Sequence, residues 1–145
     1  MKKIHRIIAL ILVFAMCLSF CAFAEGAAQK DEGAKSSTYI ASKRAAVTAM
    51  GGGTIRIDYS VTAYYTIDEL GACQINLYKS TGQLMKTYYS NAYASMMGYN
   101  CVTHNGHVTY PGTPGTSYFA TIVFYAKDGS IGETKSITTG TTICT

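Results

Sequence analysis

Residues 110–133 read YPGTPGTSYFATIVFYAKDGSIGE. Pro111-Gly112 and Pro114-Gly115 make a turn-rich lead-in, and Lys127-Asp128-Gly129-Ser130 reads as a hairpin turn at the far end. Between them lies a run with the period of a strand, in which successive side chains point to opposite faces. Tyr118, Ala120, Ile122, Phe124 and Ala126 fall on one face and predict core. Phe119, Thr121, Val123 and Tyr125 fall on the other, and that face raises the question of function.

Working outward, the chain from Tyr39 onward is rich in Thr, Tyr, Ile and Val in short runs parted by Gly, Ser, Asn and Asp, with no sustained helical period. This predicts an all-β domain. A first strand is expected within 38–50, ended by Gly51-Gly52-Gly53. A second over 54–63 places Ile55, Ile57, Tyr59 and Val61 inward and Arg56, Asp58, Ser60 and Thr62 outward. A third over 72–80 places Cys73, Ile75 and Leu77 inward and Gln74, Asn76 and Tyr78 outward. The run 83–90 is a fourth, with Leu84 its expected core contact. Residues 91–105 read as a loop whose Tyr93, Met96, Met97 and Tyr99 cap one end of the domain, the other reading being a Met-rich binding surface. Strands over 107–110, 117–126 and 133–142 complete seven, a count that fits an immunoglobulin-like antiparallel β-sandwich.

The stretch Pro114-Gly115-Thr116-Ser117-Tyr118, followed by Ala120, Ile122, Phe124 and Ala126 at alternate positions, resembles the E–F corner and strand F of fibronectin type III domains. The resemblance implies that Tyr118 folds back to hydrogen-bond the backbone upstream, as the corner tyrosine of that family does. Those domains usually carry a Trp in their second strand, and this chain has none. The chain also resembles small secreted proteins of Gram-positive bacteria. In the strand order of an immunoglobulin-like sandwich, Cys73 and Cys101 would share one end while Cys144 lies at the other. That order makes Cys73–Cys101 the accessible disulfide, with three reduced thiols as the alternative.

The first 24 residues have a basic start (Lys2, Lys3, Arg6), an apolar stretch and Ala22-Phe23-Ala24 as a cleavage signal, which together predict a secretory signal peptide over 1–24. Its apolar stretch approaches the roughly 20 residues of a membrane span, so an uncleaved anchor is the alternative. Residues 25–37, EGAAQKDEGAKSS, contain no large apolar side chain and predict a flexible tether ahead of a domain over 38–145. The chain has 12 Lys+Arg against 8 Asp+Glu; without the three leader cations the balance is nine to eight. The remaining cations are scattered, which argues against nucleic acid and an anionic membrane surface as partners, and no second apolar run of that length follows, so no membrane insertion is expected after cleavage. Secretion permits disulfides, and the three cysteines left after cleavage leave an odd thiol.

Chemistry is sparse. Cys101, His104 and His107 form C-x-x-H-x-x-H, a set of zinc-type ligands that supports an alternative reading as a metal protein or enzyme. Asp68 and Glu69 are adjacent, so their side chains diverge and cannot face each other across a substrate. No nucleophile elbow is present. No cofactor and no catalytic residue are expected. The outward cluster of Phe119, Val123 and Tyr125, joined by Tyr78 from a neighbouring strand, predicts a binding face for an extracellular protein or glycan. A structural surface protein without a specific ligand, linked through Cys144, is a third reading.

Overall fold

Three consecutive glycines, Gly51, Gly52 and Gly53, have φ of 80°, 60° and 76°. Only glycine adopts that left-handed region at little cost, and the three together reverse the chain between β1 (Ile40–Gly51) and β2 (Thr54–Lys79). The structure, a computed structural model, describes residues 37–145. The expected leader and nearly all of the tether lie outside those residues. After β2 come β3 (Leu84–Tyr89), a 3-10 turn (Ala94–Met96), β4 (Met97–Pro111), β5 (Ser117–Asp128), β6 (Ile131–Thr138) and β7 (Thr142–Ile143).

The described residues are all-β and antiparallel, and their seven strands are hydrogen-bonded into a single sheet curled into a half-barrel. The unit that dictates this shape is β2, which is 26 residues long. The expected second and third strands are one strand, and the break expected between them is absent. The first half of β2 pairs with β1 on one side and β4 on the other; its second half pairs with β5 where β1 was, and with β3 and the start of β4 opposite. Residues 63–66 interrupt the β2–β4 register between Thr62 and Ile67, and there the sheet bends. The bend brings β1 back toward β5 and β6.

The concave side holds the core. Ile55, Ile57, Tyr59 and Val61 from the first half of β2 meet Leu70, Ala72, Ile75 and Leu77 from its second half and Tyr118, Ala120, Ile122, Phe124 and Ala126 from β5, all buried. The Tyr59 and Phe124 rings, centroids 6.4 Å apart, join the two halves. Met96, fully buried, plugs the open side; Met97 is half-buried, and Tyr93 and Tyr99 are exposed. The expected capping of the core therefore rests on Met96 among those four residues. One end is closed by β7, where the Thr142 hydroxyl donates to the Val47 carbonyl at 2.7 Å, and by the Gly53 amide donating to the Thr145 carbonyl at 2.9 Å.

Tyr118 is 1 % exposed, and its hydroxyl accepts a hydrogen bond from the Thr113 amide at 3.0 Å. Tyr118→Phe keeps the ring and strands that amide, so it is expected to cost about 1.5 kcal/mol, read by urea denaturation. An unchanged midpoint would show the bond to be replaced by water.

Several expectations are corrected. Leu84 is 52 % exposed, and Tyr88 takes its place in the core, because a bulge opposite Leu77 and Tyr78 shifts the phase of β3. Cys73 is only half-buried, because a second irregularity between Ala72 and Gln74 rotates it out of the inward column. Its thiol donates to the Val123 carbonyl at 3.3 Å. The expected loop after residue 96 is strand, and the strand expected at 107–110 is the end of β4. The strand expected over 133–142 is divided between β6 and β7.

Candidate functional site

The convex face of the β3–β2–β5–β6 half carries all four residues expected to bind. Register places Tyr78 opposite Phe119, Asn76 opposite Thr121, Gln74 opposite Val123 and Gly71 opposite Tyr125. On the far side of β5, Thr138, Ser136 and Thr134 continue the last three rows. The Tyr78 and Phe119 rings stack with centroids 5.1 Å apart and planes 15° from parallel. Val123 and Tyr125 lie further along β5, about 13 and 20 Å from Phe119 at the rise of a strand. Thr121 stands between the two groups, so the four do not form one unbroken patch. All four are half-buried rather than open to solvent.

The strand expected over 83–90 is β3, and what sequence reasoning missed is that β3 contributes to this face. It sets Leu84 opposite Tyr78 and Tyr89 opposite Gln74, both about half exposed, and so widens the face by one strand. The signal was the Thr81-Gly82 turn, which implies a hairpin; its register depended on a bulge that no residue pattern announces.

The polar members of the face are wired together. Asn76 Oδ1 accepts from Gln74 Nε2 at 3.0 Å and from the Thr87 hydroxyl at 2.9 Å, which fixes the orientation of its amide. The Thr121 and Thr138 hydroxyls lie 3.1 Å apart. No charged side chain stands in these rows. The nearest charges on the face are Glu69 and Lys127, paired at 2.8 Å at its far end. That hydrogen bond and the carboxylate charge hold the Lys127 ammonium above its ordinary range. Asp68 points the other way and accepts the Gly129 amide at 2.8 Å, so the adjacent carboxylates do diverge.

The C-x-x-H-x-x-H set does not converge. In a strand the odd spacing sends His104 and His107 to opposite faces. Register sets His104 beside buried Val61 and His107 beside Asp58 on the convex side. Among the described residues no group of three or more His, Cys, Asp or Glu side chains could hold a metal ion. Cys101 and His104 do approach each other: a Cβ on Gly98 would lie 2.9 Å from Cys101 Sγ and 2.8 Å from His104 Nδ1. Since the Ser95 carbonyl can only accept, His104 Nε2 is the donor in their 3.1 Å hydrogen bond. Burial pushes the Cys101 thiol above its ordinary range, the opposite of what an activated nucleophile requires.

The Cys73–Cys101 disulfide is not made, and all three described cysteines are free. Cys101 pairs with Ile67, six residues along β2 from Cys73. That spacing is about 20 Å, against the roughly 7 Å limit for bridged Cα atoms. Cys144 is 1 % exposed, its sulfur beneath Gly112, so a link to another molecule through it requires the C-terminus to leave the core. No family model, no curated protein and no solved structure matches the chain.

Proposed function

We propose that the chain is a secreted, non-catalytic binding module that holds an uncharged glycan of a cell surface or extracellular polymer on the convex β3–β2–β5–β6 face. The observation that carries this reading is the stacked Tyr78–Phe119 pair beside uncharged rows of amides and hydroxyls. A sugar ring offers the same two surfaces: an apolar C–H face that packs on an aromatic ring, and hydroxyls at its edge that bond to Asn, Gln and Thr. Tyr89 and Leu84 extend the platform by one strand, which gives room for a chain longer than one sugar. Secretion rests on the reading of residues 1–24. The corner-like hydrogen bond of Tyr118 supports reading the half-barrel as a relative of the immunoglobulin-like sandwich.

The test is co-sedimentation of the purified protein with insoluble cell-wall polysaccharide. Phe119→Ser removes half of the stack from a half-buried surface position and is expected to lower the bound fraction about tenfold, with a circular dichroism spectrum like the wild type. Unchanged retention on every polysaccharide tried would overturn the glycan reading. Loss of a protein partner by the same substitution would replace it with the protein-binding reading.

A further inference from the structure

The other half of the sheet presents a convex face of different chemistry. Register places Arg44, Ser60 and Asn105 in one row across β1, β2 and β4, and Ala46, Asp58 and His107 in the next. Side chains in such a row stand about 5 Å apart on the same face. One row further, Arg56 sends both Nε and Nη2 to Asp58 Oδ1 at 2.7 Å. Arg44 has no acid opposite it and no ion-pair partner among the described residues. These rows border an open groove of ≈ 610 Å³. Ligand clefts span about 300–1,000 Å³. Two small residues on this face, Ala46 and Ser60, leave the room.

We propose that this groove binds the carboxylate of an acidic sugar, a hexuronate unit within a polysaccharide. Two guanidinium groups against one carboxylate leave the groove with an excess positive charge, and the free fork of Arg44 matches a carboxylate with two parallel hydrogen bonds. Ser60, Asn105 and His107 supply hydroxyl, amide and imidazole partners for ring hydroxyls. Asp58 uses Oδ1 on Arg56 and keeps Oδ2 for a sugar hydroxyl, while its charge one row away opposes a second anion. Tyr59, the one large apolar residue bordering the groove, is buried on the core side. A lipid or an apolar peptide anchor would therefore bury nothing here, whereas a hydroxylated anion finds a partner for each polar group. The site lies apart from the aromatic face and stands or falls independently of it.

The experiment is an NMR titration of the purified protein with the galacturonate trimer, beside the neutral galactose trimer and triglutamate. The galacturonate trimer is expected to shift the amides of Arg44, Ser60, Asn105 and His107, with a dissociation constant that rises with added salt. Arg44→Ala, at an exposed position that the fold does not need, raises that constant about tenfold; Arg44→Lys keeps the charge, loses the fork and recovers only part of the affinity. Phe119→Ser leaves it unchanged, which separates this site from the glycan face. Equal binding of the neutral trimer, equal or tighter binding of triglutamate, or full affinity in Arg44→Ala would each overturn the proposal.

Discussion

Gly71→Ala is expected to destabilise the domain by about 3 kcal/mol, the upper part of the range for overpacking a site that cannot yield. Gly71 lies in the middle of β2 between β4 and β5, and an added Cβ would collide with the Met96 carbonyl oxygen and lie 2.8 Å from Met97 Cα. Both obstacles are backbone, so relief requires the 3-10 turn to lift and to draw Met96 out of the core. For a domain of this size the loss corresponds to a melting temperature lower by about 15 °C. Gly140→Ala is the control, since nothing lies within 4 Å of its added Cβ. It is expected to change stability by less than about 0.5 kcal/mol. Equal melting temperatures for the two variants would show that the turn does not cover Gly71 in solution.

Glu133→Gln is expected to cost about 1 kcal/mol at neutral pH, partial exposure of the carboxylate weakening its hydrogen bonds, and progressively less as the pH falls below 4.5. The Glu133 carboxylate ties β6 to the start of β1. Oε1 accepts the Ser37 hydroxyl at 2.6 Å, the Ile40 amide at 2.7 Å and the Tyr39 amide at 2.8 Å, while Oε2 accepts the Thr38 amide at 3.0 Å. Burial acts to raise its pKa, but the Ser37 hydroxyl and the three amides together outweigh it and hold the carboxyl below its ordinary value of 4.5. A depressed folded pKa contributes stability that is complete above the ordinary value and is lost as the pH falls through the lowered one. Denaturant midpoints of wild type and Glu133→Gln should therefore converge in acid. A gap of constant size from pH 7 to pH 3 would mean that the side chain contributes through packing and not through its charge.

Of the fold, β5 was fully legible. Its alternation of core and surface residues from Tyr118 to Ala126 is uninterrupted, and the two faces read from it are the two faces found. The same held for Ile55 to Val61. What stayed hidden was the continuity of β2. Tyr64-Tyr65-Thr66 and Asp68-Glu69 look like a polar break between two strands, because their side chains face solvent where the sheet bends. A bend and a turn leave the same polar trace in sequence, and only pairing partners separate them. The mistaken pairing of Cys73 with Cys101 followed directly, since it assumed a chain reversal before residue 72 that does not occur. The residues expected to bind were on a common face, but the contribution of Leu84 and Tyr89 depended on a bulge. Glu133 and Arg44 owe their roles to partners that local pattern does not supply: a carboxylate more than 90 residues from the amides it binds, and a guanidinium set apart by the absence of an acid across the sheet.

The length of β2 also determines how the molecule can be divided. Its two halves share no partner except β4, the first being held also to β1 and the second also to β3 and β5. Cutting the chain near its middle would not release two smaller folding units; each fragment would keep one half of a core and an unpaired edge. Assembly is accordingly one cooperative event, with the β2 amides that are paired on both sides, as over 55–61 and 74–78, the slowest to exchange with solvent. Room for grafting a tag or a new loop lies instead at the hairpin tips, at residues 51–52, 81–82 and 129–130, where nothing packs on the turning glycines.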